Sequence, residues 1–391
     1  VRCVRIALAC LAAAALGATP ARLAAQSEPL WSEAEQVAIR ALGPWPVQVA
    51  PERSNRVAGN ALAIEFGQLL FETPRLSGRG AVRCASCHEP WRAFSDGRAI
   101  AFGLARGTRN SPTLYNVGLQ HWFGWDGASD TLWGQVIRPL QDAHEMASSA
   151  AHVAEVVRDN EDFLVRYVAV FGAAPSADDD EVMVNVAKVI AAYVATIVSP
   201  RSAFDRYRDH LGSTDGEDAD LSRAAVRGLR LFVGRAGCSD CHSGADFSDG
   251  EFHRSLVAAG DRPDRGRAAG LERLAHSAYT RAGRFSDLPA SERRSLITPH
   301  PDEAMRGYFR TPGLREVART SPYMHDGSVT HLCQATHAHA LRAATTDAAS
   351  TERAPEATLT EDERRDLVAF MRSLGSEPVA SQMTPDAFDC T

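Results

Sequence analysis

One short arrangement occurs twice in this chain, as Cys84-Ala85-Ser86-Cys87-His88 and as Cys238-Ser239-Asp240-Cys241-His242. Two thiols at this spacing can add to the two vinyl groups of a haem while the adjoining histidine reaches the iron, so C-x-x-C-H is the pattern of covalent c-type haem attachment. A bare Cys-x-x-Cys also serves zinc and thiol redox centres. Neither of those gives a reason for a histidine directly after each second cysteine. Two haems c are therefore expected, one on Cys84, Cys87 and His88 and one on Cys238, Cys241 and His242.

The elements around the two motifs also recur. Gly67-Gln68-Leu69-Leu70-Phe71 precedes the first as Gly228-Leu229-Arg230-Leu231-Phe232 precedes the second, and each reads as the end of a helix. Phe94-Ser95-Asp96-Gly97 and Phe247-Ser248-Asp249-Gly250 follow the two histidines. Pro112-Thr113-Leu114 then matches Pro312-Gly313-Leu314, Asp126-Gly127 matches Asp326-Gly327, and Leu132 matches Leu332. Register kept over this distance predicts an internal duplication: two mainly α, cytochrome c-like haem domains with long loops, spanning 27–200 and 201–391. Between them, Glu181 to Val198 places Val182, Val186, Val189, Ile190, Tyr193, Val194 and Ile197 on one helical face. Thr360-Glu361-Asp362-Glu363 is a capping box for a last helix carrying Leu367, Val368, Phe370, Met371 and Leu374. Trp91, Trp122 and Trp133 read as core or haem-packing residues.

The two copies differ in the stretch before the Pro-x-Leu element. Arg98 to Ser111 holds no His, Met, Cys, Tyr or Lys. The equivalent Glu251 to Thr311 is about 47 residues longer and carries His253, His276, Tyr279, His300, Met305 and Tyr308. If the longer stretch covers the second haem, one of these closes its iron, and the first iron stays open to a small molecule.

Residues 1–25 have the layout of a secretory signal peptide: a basic start with Arg2 and Arg5, a short apolar core, and small residues before Ala25. No later run reaches the roughly 18 apolar residues of a spanning helix, so an exported, periplasmic protein is expected. Loss of Arg2, Arg5 and Arg22 takes the net charge from −7 to about −10, which argues against nucleic acid. Cys333 and Cys390 are then the cysteines outside the haem motifs, and in an oxidising compartment they can pair.

The order of motifs from about Gly59 to Leu374 resembles the bacterial di-haem cytochrome c peroxidases and the related MauG-like enzymes. The matching segments are Arg109-Asn110-Ser111-Pro112-Thr113-Leu114, Gly124-Trp125-Asp126-Gly127, Pro139 with Glu145-Met146, Phe309-Arg310-Thr311-Pro312-Gly313-Leu314-Arg315, and Pro322-Tyr323-Met324-His325-Asp326-Gly327. The resemblance implies a peroxide-reactive first haem with Gln135, Pro139 and Glu145 in its distal pocket and Glu145 as proton shuttle. It implies Trp125 as a charge relay between the haems, with His325 as its counterpart in the second half. It implies Met305 as sixth ligand of the second haem, with Tyr308 as the alternative, and a calcium ion with Asn110 as a ligand.

Three functions are compatible with this pattern. The ligand-free first loop favours a MauG-like oxidoreductase that uses hydrogen peroxide to oxidise a partner protein. The alternatives are a peroxidase drawing electrons from a small cytochrome or copper protein, and a di-haem electron carrier without catalysis, which would need both irons six-coordinate.

Overall fold

The computed structural model describes residues 30–212, 220–255, 264–343 and 359–376. The expected leader, 1–25, and Cys390 lie outside them. The described residues are mainly helical, and their strands are two short ones, β1 (Phe252–Arg254) and β2 (Tyr308–Arg310), paired antiparallel with Phe252 opposite Arg310. No helix among them is long and apolar enough to cross a membrane.

Two apolar cores organise the chain. In the first, α2 (Ala61–Glu72) crosses α6 (Asp179–Val194), with α3 (Leu132–Gln141), α4 (Ala150–Asp159) and α5 (Glu161–Phe171) around them. The Asp178 side chain caps α6 by accepting from the amides of Asp180 and Glu181, and three acidic residues fill its first turn, where the helix dipole favours negative charge. One apolar stripe was the expectation for this helix. It is instead buried almost all round from Val182 to Ala192, because α2, α3 and α4 all pack on it. Even Lys188 is enclosed, its Nζ donating to Asp287 at 2.6 Å and to the Phe285 carbonyl at 2.7 Å.

In the second core, α8 (Arg223–Val233) crosses α12 (Glu361–Arg372), joined by α1 (Glu33–Arg40), α7 (Ala203–Asp209) and α11 (Leu332–Ala343). The expected capping box is present, with Thr360 and Glu363 bonding each other's backbone amides. Leu367, Val368, Phe370, Met371 and Leu374 are buried as expected. Phe204, Phe232, Phe247 and Phe370 share ring contacts at 5.0–6.3 Å.

Both crossings depend on a glycine from the repeated element. A β-carbon on Gly67 would lie 2.0 Å from the Val189 carbonyl oxygen, and one on Gly228 would lie 2.0 Å from that of Asp366. Only glycine lets these backbones approach so closely.

Each half lends a segment to the other, which the sequence does not announce. Helix α1 packs in the second core, where Trp31 Nε1 donates to the Tyr207 hydroxyl at 2.6 Å and the Arg230 guanidinium lies 4.7 Å over the indole. Conversely, the middle of the long 251–311 stretch crosses to the first half instead of staying over the second haem motif. It contains α9 (Arg267–Ala275) and α10 (Ala290–Ser295). Tyr279 and Phe285 pack on the first core, Asp287 pairs with Lys188 and Arg56, and Glu292 pairs with Arg53. Burying Tyr279 and Phe285 while pairing these charges is the physical reason for the crossing.

Cys333 is buried and disulfide-bonded; its expected partner, Cys390, is outside the described residues. Of the tryptophans, Trp133 is fully buried and donates to Ser54 Oγ at 3.0 Å. Trp122 is half-buried under Arg267. Trp91 is 60% exposed and so is not a core residue.

Candidate functional site

Each C-x-x-C-H motif is a single turn of 3₁₀ helix, Cys84–Ser86 and Cys238–Asp240, closed by the histidine amide donating to the first cysteine's carbonyl at 3.0 and 2.9 Å. The four thiols are free of disulfides. Burial pushes Cys84 and Cys238 up to about 12 and Cys87 up to about 11, so they stand as thiols, the form that adds to a vinyl group. His88 Nδ1 pairs with the Phe94 carbonyl at 3.1 Å and His242 Nδ1 with the Phe247 carbonyl at 3.0 Å. Both phenylalanines adopt left-handed backbone conformations, at φ 57° and 56°. A carbonyl can only accept, so each Nδ1 carries the proton and each Nε2 keeps the lone pair a metal requires. Burial lowers the pKa of both rings; for His242, to about 4, the nearby His339 adds to it. Neutral imidazole, protonated at Nδ1 beside two free thiols, fits covalently held haem at both motifs.

On the first side, α3 carries Gln135 and Pro139, and the turn after it carries Glu145. The ligand-free loop runs between the motif and this turn: Cys87 Sγ donates to the Phe102 carbonyl at 3.8 Å, and the Leu104 amide donates to the Glu145 carbonyl at 2.9 Å. Gly103 is needed there, since a β-carbon would meet Glu145 Cα at 2.6 Å. Glu145 is held in the turn after α3 by its amide donating to the Asp142 carbonyl at 3.1 Å. The surrounding protein raises its carboxyl pKa above the ordinary value, Asp142 adds to the rise, and Arg138 and His144 oppose it. Arg138, absent from the expected set, donates to Gln135 Oε1 at 3.1 Å on the same helix. Its position between Gln135 and Pro139 was the available signal.

The seam between the halves is built from reciprocal contacts. The Asn110 amide donates to the His325 carbonyl at 2.8 Å, and the Arg310 amide donates to the Trp125 carbonyl at 2.9 Å. Trp125 Nε1 donates to the Asn110 carbonyl at 2.9 Å. His325 stacks on Phe309 with ring centres 3.7 Å apart. Beneath Trp125, fully buried Asp126 pairs with Arg109 at 2.7 Å and with Arg273 of α9, and Arg109 also pairs with Asp264 at 2.7 Å. Burial alone would raise the Asp126 pKa, but Arg109, Arg138 and Arg273 outweigh it and hold the carboxyl below its ordinary range.

Comparison with known proteins bears on this pair of sites. The family described as di-haem cytochrome c peroxidase matches residues 61–212. The methylamine utilization protein MauG of Methylorubrum extorquens is 31% identical over 351 residues, 89% of this chain and 88% of that protein. This chain belongs to the di-haem cytochrome c peroxidase and MauG family. A cytochrome-c peroxidase of Denitromonas iodatirespirans is 32% identical over 346 residues, 87% of this chain and 88% of its own length. The fold matches that of a di-haem peroxidase from Burkholderia thailandensis with a TM-score of 0.67, at 23% identity over 88% of this chain and 91% of that one. Membership in this family of di-haem oxidoreductases implies two c-type haems, in agreement with the two motifs.

Met305 sits in a one-turn helix, Glu303–Met305, packed on α9, and Tyr308 lies on β2 under the Arg254 guanidinium. The ring that stands beside His242 is His339 of α11, with centres 6.1 Å apart. The repeat register could have found it: His339 follows Leu332 by the interval at which Pro139 follows Leu132.

Proposed function

We propose that this di-haem enzyme reduces hydrogen peroxide at the Cys84, Cys87 and His88 haem and takes the two electrons from a partner protein, which is thereby oxidised in the MauG-like manner. The observation that carries the reading is the junction of Leu104 with Glu145: a loop without His, Met, Cys, Tyr or Lys, its Leu104 amide pinned on the backbone carbonyl of that glutamate at 2.9 Å. When bound, the haem supplies the redox change and the position where peroxide meets iron. The chain's own task is proton transfer. Glu145 takes the proton from the inner peroxide oxygen and delivers it to the outer one, so that the O–O bond breaks toward water. Two electrons and two protons in total turn one peroxide into two waters.

Gln135, tied to Arg138 by a hydrogen bond, and Pro139, which adds no donor, are read as the walls of the distal pocket. Trp125 is proposed to pass charge between the halves. Its indole is fixed on Asn110 and its carbonyl on Arg310, so it stands anchored to both sides of the seam.

The same reading takes 27–200 and 201–391 as two domains derived by duplication, exported to the periplasm behind the 1–25 leader. It is supported by the matched helix crossings, the matched histidine tautomers and the reciprocal seam bonds. Calcium at the seam, with Asn110 contributing, is consistent with that residue's place there.

The competing peroxidase reading, with a small cytochrome or copper protein as donor, draws on the relative named cytochrome-c peroxidase. One equivalent of peroxide added to the resting protein, without reductant, separates the two. Immediate consumption with the oxidising equivalents retained supports the MauG-like reading. Consumption only after prior reduction, followed by steady oxidation of reduced cytochrome c, supports the peroxidase. No reaction under either condition contradicts both.

A further inference from the structure

The rings of His242 and His339 lie with centres 6.1 Å apart and planes inclined at 60°. We propose that His339 is the second axial ligand of the iron held by His242, in place of Met305 or Tyr308, so that the second haem is bis-histidine ligated. This inference rests on the two-haem reading above.

The separation is what a shared metal demands. A metal–imidazole nitrogen distance of about 2.0 Å, doubled and extended by half a ring on each side, puts the ring centres about 6 Å apart.

The hydrogen bonds agree with the spacing. His339 Nδ1 pairs with the Ala335 carbonyl one helical turn earlier at 2.7 Å, as His242 Nδ1 pairs with Phe247 at 3.0 Å. Each ring is therefore protonated at Nδ1 and presents a lone pair at Nε2, the arrangement in which a carbonyl orients a metal-bound imidazole and makes it more basic.

The register supplies the reason the two sites differ. Helices α3 and α11 begin at Leu132 and Leu332, and the position that holds Pro139 on α3 holds His339 on α11. Proline has no atom that can bind iron; imidazole does. One substitution within a repeated frame leaves the first site open and closes the second. Imidazole in place of a thioether also favours the ferric state, since a methionine ligand raises the reduction potential. A second haem resting ferric and low-spin suits a store of oxidising equivalents.

The test uses the holoprotein and four variants: His339→Ala, His339→Met, Met305→Leu and Tyr308→Phe. Haem content by pyridine haemochromogen confirms loading before electron paramagnetic resonance of the resting state is recorded. In His339→Ala the low-spin ferric signal is expected to be replaced by a second high-spin signal, and added imidazole restores it. His339→Met, which keeps a ligand, retains a low-spin haem with a thioether-to-iron charge-transfer band and a raised midpoint potential; it decides the matter if the alanine variant does not load. Met305→Leu and Tyr308→Phe leave the parent signal unchanged. An unchanged low-spin signal in both His339 variants, or its loss in Met305→Leu or Tyr308→Phe, overturns the assignment. Peroxide consumption at the first haem, measured in parallel, reports on the proposed function separately. Failure of one is thereby distinguished from failure of the other.

Discussion

The carbonyl oxygen of Trp125 accepts the amide hydrogen of Arg310 at 2.9 Å across the seam between the halves. Its indole Nε1 is meanwhile held by the Asn110 carbonyl at 2.9 Å. One residue is thus tied to the second half by its backbone and to the first by its side chain, and an indole so placed is rigid. Trp125→Phe keeps an aromatic ring but loses the Nε1 hydrogen bond and the easily oxidised indole. Peroxide consumption at the first haem is expected to persist, while the change at the second haem slows at least tenfold in stopped-flow spectra. Unaltered kinetics at the second haem would remove Trp125 from the path.

Asp126 is the anchor beneath this seam, a fully buried carboxylate between Arg109 and Arg273. Asp126→Asn removes one of the two carboxylates paired with the largely buried Arg109 and the one paired with Arg273, and a loss of about 3 kcal/mol in unfolding free energy is expected for breaking the buried pair from one side. Because the folded pKa is held below its ordinary value, the carboxylate's contribution is present in full above the ordinary aspartate pKa. It fades as pH falls through the lower, folded one. Denaturant titrations of parent and variant should therefore converge in strong acid and diverge toward neutrality.

Glu145 must be ionised to accept the peroxide proton, and burial raises its pKa from the ordinary glutamate value. The peroxide-reaction rate should fall with acidification through that raised value. Glu145→Gln should abolish the limb and slow the reaction by roughly 10²–10⁴-fold, the usual scale of general acid–base assistance. Arg138 opposes the rise, so Arg138→Ala should move the midpoint to still higher pH. A rate profile in Glu145→Gln that keeps the acid limb would assign it to another group.

The paired glycines give a stability prediction that is independent of redox chemistry. A methyl on Gly67 or Gly228 would sit 2.0 Å from a carbonyl oxygen of the crossing helix, so the helices must separate. Gly67→Ala and Gly228→Ala should each cost about 1–3 kcal/mol, the range for overpacking a well-packed core. Chemical denaturation checks this, and no change in either variant would mean that the crossings are looser than described.

Much of this arrangement was legible in the sequence because its chemistry is local. The haem motifs are contiguous, and their histidine-orienting carbonyls come from the repeated Phe94 and Phe247 elements a few residues on. The glycines of the repeated helix ends were visible, though not the carbonyls they meet. What escaped is carried by distant contacts. Nothing in the composition of Trp31 to Arg40 says that this segment packs with Tyr207 and Arg230. The crossing of Tyr279, Phe285 and Asp287 onto α6 likewise depends on the buried Lys188, which a lysine in an apolar stripe does not advertise. Residue type alone does not tell that Trp91, at 60% exposure, stands outside the core. His339 belongs to no motif of its own, and only the register of its helix with α3 points to it.

The inequivalence of the two haem sites is the central claim, and low-temperature electron paramagnetic resonance of the resting, fully loaded protein tests it most directly. The predicted spectrum contains one high-spin ferric haem and one low-spin ferric haem in equal amounts, with the high-spin component consumed first on adding one equivalent of peroxide. Two low-spin haems that persist through peroxide addition would contradict it.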